Sequence, residues 1–149
     1  MKHQIDNVVQ YILKKAGPMS AMKLQKLVYY CQAWSLVWDE EQLFKDEIQA
    51  WANGPVAPYL YKKHKGQFKI TTWEDGDASK LTKKQKETID AVIKFYGDMN
   101  SQKLSDLTHG EQPWINARKG LDALDRGEQT ISLADMEEYY SSLPARKHA

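Results

Sequence analysis

The chain has 149 residues, of which 42% are hydrophobic, 11% aromatic and 28% charged. This length and composition indicate a single folded domain and exclude an intrinsically disordered chain. The 21 basic and 20 acidic residues leave a net charge of +1, so the chain as a whole has no field that attracts nucleic acid or an anionic membrane.

Cysteine content and hydropathy predict a cytoplasmic protein. The single cysteine, Cys31, allows no internal disulfide, which suits a reducing compartment. No apolar run approaches the ~20 residues that a membrane-spanning helix needs. The N-terminal segment includes Asp6 and lacks the apolar core of a signal peptide.

Two helices are predicted first along the chain. Apolar residues at helical spacing predict a helix over 4–15, which Gly17-Pro18 ends. A second helix begins after its N-cap Ser20 and ends in the acidic segment 39–41. Because apolar residues cover almost its whole circumference, we expect this helix to be buried at the centre of the fold. Five polar side chains are left for water: Lys23, Gln25, Lys26, Gln32 and Ser35.

The middle of the chain predicts a small β element. Segment 47–52 has the pattern of a short strand, and Gly54-Pro55 predicts a turn after it. A short helix opened by Pro58 follows. Segment 68–73 predicts a second strand, which we expect to pair with 47–52 in a two-stranded sheet.

The second half predicts further helices. Thr82 and Gln85 have the spacing of a capping box, which opens a helix that runs to about Tyr96. Segment 120–129 is compatible with a helix or a loop. Shorter helices are expected over 101–108, from Pro113, and from Ser132 to Tyr140.

These elements together predict the architecture. We expect a mainly α fold, a compact bundle of about six or seven helices with one two-stranded β element. The chain, 1–149, is expected to form one domain with its core over 5–141 and a frayed tail over 144–149.

No motif for catalysis, cofactor binding or metal binding is present. His109 and Glu111 with Pro113 match only the start of a zinc deaminase pattern, because the downstream cysteines of that pattern are missing. The chain contains neither of the glycine-rich nucleotide-binding loops and no histidine spacing for zinc. We therefore expect no enzyme activity, no cofactor and no metal, with His109 in a structural contact.

Charge is unevenly distributed along the middle of the chain. Segment 62–86 contains eight lysines and three acidic residues, whereas segment 39–47 is acidic. Three interpretations of the basic segment stay open: a solvated face, a surface for an acidic protein, and a surface for nucleic acid. Exposed tyrosine or tryptophan rings would favour a protein partner.

An ordered set of sequence phrases is specific as a whole. In the first half these are the run from Lys23 to Trp34, Leu43-Phe44, the run from Glu47 to Trp51, and Gly54-Pro55-Val56. In the second half they are the run from Leu104 to His109, then Glu111, Pro113-Trp114, Ile131 and Tyr139-Tyr140. In this order they resemble the Panacea domain of SocA-like and GepA-like proteins from phages and mobile elements, over about residues 5–141.

The resemblance implies an antitoxin that neutralises a cognate, translation-targeting toxin by direct protein contact. One member of the family instead delivers its toxin to a protease, and some relatives carry a DNA-binding domain. A proteolytic adaptor and a nucleic-acid-binding module therefore stay open as alternatives, as do a homo-oligomer and a toxin–antitoxin hetero-oligomer. We expect neither membrane nor nucleic-acid contact, and the family offers no catalytic residues to carry over.

The helix after the Gly-Pro turn is the expected contact surface, because aromatic rings and positive charges lie close together in it. The candidate partner-binding residues are Tyr59, Tyr61, Lys62, Lys63 and Lys65. Residues that match the family signature are interpreted as scaffold: Leu24, Leu27, Tyr30, Trp34, Trp51, Gly54, Pro55, Val56 and Trp114.

Overall fold

The computed structural model describes residues 3–143, and within them the fold is mainly α, as predicted. Its helices are α1 (Gln4–Ala16), α2 (Ala21–Trp38), α3 (Pro58–His64), α4 (Lys83–Tyr96), α5 (Ser101–His109), α6 (Gln112–Ala117) and α7 (Leu133–Ser141). Its strands are β1 (Met19–Ser20), β2 (Gln49–Trp51), β3 (Gly54–Val56) and β4 (Lys69–Ile70). A 3-10 turn spans Ala78–Lys80, segment 120–129 is a loop, and the predicted tail over 144–149 lies outside the described residues.

Helix α2 lies at the centre, which confirms the prediction from its apolar circumference. Its first turn is capped by the Ser20 hydroxyl, which accepts a hydrogen bond from the Lys23 amide at 3.1 Å. Helices α1, α4, α5 and α7 all pack against α2, and Leu24, Leu27 and Tyr30 on it have no exposed surface.

Polar side chains of α2 are buried, so the prediction that they face water is wrong for Gln25, Lys26, Gln32 and Ser35. The Gln25 amide accepts from the Ala57 backbone N–H at 2.8 Å and donates to its carbonyl at 3.3 Å. Gln32 likewise accepts from the Leu43 N–H at 2.7 Å and donates to the Phe44 carbonyl at 2.8 Å. For the two glutamines the reason is that non-helical segments cross α2, and the buried backbone groups of these segments need partners.

The strands form two separate sheets, so the predicted pairing of 47–52 with 68–73 is wrong. Strand β2 pairs antiparallel with β3, Trp51 opposite Gly54, across a two-residue turn. Strand β4 pairs instead with β1, Met19 opposite Ile70. A tight hairpin closes at much lower entropic cost than pairing across the intervening helix, which accounts for the choice of partner by β2.

A buried aromatic cluster joins α2 to α4, α7 and Glu111, the residue just before α6. The Glu111 carboxylate accepts hydrogen bonds from the Tyr30 hydroxyl at 2.8 Å and the Tyr140 hydroxyl at 2.6 Å. The Trp34 indole donates to the Tyr96 hydroxyl at 2.9 Å. Burial raises the pKa of both Tyr30 and Tyr140, so each stays a neutral donor. The cluster thus fixes the helices around α2.

Candidate partner-binding face

Helix α3 divides the candidate partner-binding residues between two sides. Tyr59 and Lys63, four residues apart, both reach Asp6 on α1. Tyr61 instead contacts Trp51 on β2, and Lys62 and Lys65 are exposed. The five candidates therefore do not form one surface.

The Asp6 side of α3 is a structural hydrogen-bond network. The Asp6 carboxylate is buried and accepts from the Tyr59 hydroxyl at 2.7 Å and the Trp73 indole N–H at 2.8 Å. The Lys63 ammonium lies 3.2 Å from both Asp6 oxygens and donates to Asp75 at 2.8 Å. Tyr59 and Lys63 thus hold α3 and the 71–77 segment against α1.

The other side of α3 carries a cluster of two rings and a guanidinium, which we call the tryptophan–tyrosine–arginine stack: Trp51, Tyr61 and Arg126. The Arg126 guanidinium lies 3.8 Å from the centroid of the Trp51 ring and 5.7 Å from that of Tyr61. The two rings meet edge to face with centroids 4.9 Å apart. Both rings are half-buried and Arg126 is exposed. Tryptophan, tyrosine and arginine are the residues enriched at energetic centres of protein interfaces.

Arg118 holds the loop that brings Arg126 to the rings. It is 7% exposed, and its guanidinium donates four hydrogen bonds of 2.7–3.1 Å to backbone carbonyls. One acceptor, Ala50, is on β2, and the other three lie in the 122–126 part of the loop. Sequence reasoning missed both arginines, because nothing in the local pattern shows which carbonyls or rings they meet.

Phe68 extends the exposed surface beyond the stack. The residue is 84% exposed, and among the large hydrophobic residues that the structure describes only Leu124 is more exposed. It borders a groove of about 150 Å³ whose lining includes Tyr61, Lys65, Met22 and Ser101. We call the surface made by Trp51, Tyr61, Lys65, Phe68 and Arg126 the aromatic face.

A polar pocket of about 280 Å³ adjoins this groove, and Met22 and Ser101 line both. Lys26 reaches it although only 1% of the residue is exposed, and burial lowers the pKa of Lys26 to about 8. The His109 ring also lines the pocket and stacks on Trp114 at 4.1 Å. Its Nε2 atom is buried without a hydrogen-bond partner in the described chain.

We predict that Lys26 makes the stability of the chain depend on pH. Because burial lowers the pKa of Lys26 to about 8, from 10.5 in an unfolded chain, the unfolded state binds more protons between these values. The contribution of Lys26 to the free energy of unfolding therefore rises with pH there, by roughly 1 kcal/mol per pH unit.

Replacing Lys26 with methionine removes this dependence. In denaturant unfolding, the stability advantage of Lys26→Met over the wild type should shrink between about pH 8 and about pH 9.5. Tyrosines titrate equally in both proteins, so their effect on the free energy of unfolding cancels in the difference between the two. A difference that stays constant with pH would contradict the prediction.

The exposed features of this face are those of a protein that binds other proteins. Within residues 3–143, no three histidine, cysteine or acidic side chains are placed to hold a metal ion, and no helix is long and apolar enough to cross a membrane. The exposed features are rings, cations and a polar pocket, which suit the binding of another protein.

A family model described as "Antitoxin SocA-like, Panacea domain" matches residues 24–115. This is more than half of the 149 residues, and the chain belongs to that family. The match confirms the resemblance predicted from the ordered phrases and indicates an antitoxin-like role with a protein partner. Comparison with curated proteins and with solved structures gives no match.

Proposed function

We propose that this chain is the antitoxin of a toxin–antitoxin module and neutralises its cognate toxin by covering it in a direct complex. It acts in the cytoplasm, without a catalytic centre or cofactor of its own. Family membership supports the antitoxin role. The observation that carries the binding mode is the aromatic face, where an 84% exposed phenylalanine lies near a tryptophan–tyrosine–arginine stack.

The chemistry of this face suits a stable protein interface. Such interfaces bury about 800 Å² on each partner and concentrate their energy in a few aromatic and arginine anchors. The Trp51 and Tyr61 rings are held by each other and by Arg126, so little conformational entropy is lost when a partner covers them. Phe68 is exposed in the free chain, so its burial would add hydrophobic free energy.

The partner that fits the family is a small, translation-targeting toxin. The reading frame beside this one is the first candidate to test. The decisive experiment expresses that neighbour alone and together with this chain. Growth arrest by the neighbour alone, relieved by co-expression, supports the proposal; equal arrest with and without this chain would reject it.

We predict that Phe68→Ser and Tyr61→Ala each weaken the purified complex by about tenfold or more, because the first removes an exposed anchor and the second a half-buried one. Isothermal titration calorimetry measures the affinity, and thermal unfolding checks that each variant keeps the fold. The matched control is Phe95→Ser, which removes a partly exposed phenylalanine of α4 outside the aromatic face. Equal affinities for Phe68→Ser and wild type would place the interface elsewhere.

The same co-expression distinguishes a chain that blocks its toxin from one that delivers the toxin to a protease. If the chain blocks its partner, the half-life of the toxin is unchanged or longer when both are present. A shortened half-life would instead support the adaptor alternative. A salt-dependent gel shift of tRNA or duplex DNA by the purified chain would support the nucleic-acid alternative.

A further inference from the structure

The polar pocket beside the aromatic face contains a cation that no acidic group of the described chain neutralises. Lys26 is almost fully buried, yet the ion pairs among residues 3–143 do not include it. A buried ammonium without a counter-ion destabilises a folded chain. The pocket that it reaches is lined by Met22, Lys26, Asn53, Ser101, Gln102, Ser105 and His109.

The fold makes space for Lys26 at Gly54. A Cβ atom built on Gly54 would lie 2.5 Å from Lys26 Cε and 3.2 Å from the Thr108 hydroxyl oxygen. Gly54 also has φ +122°, a region that residues with side chains rarely adopt. Glycine at this signature position therefore allows the hairpin to lie directly over the lysine stem.

The N-terminal end of α5 adds positive potential to the pocket. His109 also lines the pocket, and stacking on Trp114 holds its ring. Helix α5 begins at Ser101, so the positive end of its dipole adjoins the pocket. The Asn100 side chain caps the Lys103 amide. The two amides before it, at the start of α5, have no partner within the helix.

We propose that this pocket receives a carboxylate of the partner protein, either an acidic side chain or the C-terminal carboxylate, which pairs with the Lys26 ammonium. The inference rests on the proposed function. The position of the pocket indicates that the carboxylate comes from a protein, because Met22 and Ser101 also line the groove beside Tyr61 and Phe68. A partner seated on the aromatic face therefore extends over the pocket.

The charge of the pocket favours a carboxylate over a phosphate dianion. Lys26 supplies one positive charge near neutral pH. The pKa of His109 is lowered, chiefly by burial and then by the nearby Lys26 charge, so its ring is neutral. The negative charge of Asp106 also reaches His109, so a second negative charge on the ligand would be poorly compensated and a carboxylate suits the site better than a dianion.

Lys26→Met is the test on this chain. It removes the charge but keeps a stem of similar length, so the free chain should be at least as stable as the wild type at pH 7. Affinity for the toxin should fall at least about thirtyfold, because the toxin carboxylate is then buried without its counter-ion. Lys84→Met, on an exposed lysine of α4, removes the same charge outside the pocket and should change affinity about threefold at most.

A second variant tests the pocket from its rim. Gln102→Glu places a carboxylate at the lining, beside Asp106, to which the Gln102 amide donates at 2.9 Å, without changing side-chain size, so the added negative charge should repel the carboxylate of the partner. Binding should weaken although the number of positive charges is unchanged. Gln112→Glu on α6, also exposed and bonded to the side chain four residues on, is the matched control.

A double-mutant cycle identifies the partner group. Among Asp→Asn and Glu→Gln variants of the toxin, and with its C-terminus amidated, one change should weaken binding to the wild type but have no further effect with Lys26→Met. Unchanged affinity for both Lys26→Met and Gln102→Glu would overturn the pocket proposal and leave the proposed function standing. Failure of the wild type to bind the toxin would overturn both.

Discussion

Replacement of Asp6 by alanine is expected to lower the free energy of unfolding by about 3 kcal/mol. The Asp6 carboxylate is buried and accepts hydrogen bonds from Tyr59 and Lys63 of α3 and from Trp73 of the 71–77 segment. Without it the indole and hydroxyl donors lose their acceptor, and the lysine loses its buried counter-ion. Urea unfolding followed by tryptophan fluorescence measures the loss.

Asp75→Ala is the matched control for Asp6→Ala, because Asp75 accepts from the same lysine. Its side chain is 68% exposed, whereas that of Asp6 is 5% exposed. Water screens the exposed pair, so we expect a cost of less than about 1 kcal/mol. If both variants lost equal stability, burial of the Asp6 network would not be the source of its contribution.

Arg118→Met is expected to lower the free energy of unfolding by about 2–3 kcal/mol and also to weaken toxin binding. Four backbone carbonyls lose their common donor, and three of them belong to the loop that carries Arg126. Once that loop opens, Arg126 no longer lies on the Trp51 ring. Denaturant unfolding measures the stability, and calorimetry with the toxin measures the binding.

Hydrogen exchange shows where the Arg118 effect acts. The Ala50 amide, which donates to Gln129, should lose more protection than amides in the middle of α2. Lys119→Met is the control, because its exposed side chain is the neighbour of Arg118 in the chain. Unchanged exchange at Ala50 in Arg118→Met would show that the loop does not depend on this arginine.

The sequence was sufficient to predict where helices begin, because these positions depend on residues close together in the chain. The capping box of α4 is present: the Thr82 hydroxyl accepts from the Gln85 amide at 3.1 Å, and the Gln85 side chain accepts from the Thr82 amide at 2.9 Å. The last helix was predicted to begin at Ser132, and the Ser132 hydroxyl caps α7 by accepting from the Asp135 amide at 3.0 Å. Caps involve groups three residues apart, so local sequence determines them.

The surroundings of the polar side chains on α2 could be determined only from the tertiary structure. Helical periodicity shows that α2 is central, but a glutamine in such a helix can face water or a crossing backbone segment with equal local geometry. Which one holds at Gln25 depends on Ala57, 32 residues further on. The strand partners were likewise decided by competition between a tight hairpin and distant segments.

The candidate site shows the same division. Composition and order of residues predicted a helical, protein-binding chain of its family, and placed aromatic and basic residues in α3. Only the tertiary structure separates Tyr59 and Lys63, which bond to Asp6, from Tyr61, which joins Trp51 and Arg126. It also places Lys26 beneath Gly54. Pattern and caps are local properties of the chain, whereas the partners of a side chain depend on residues brought together by folding.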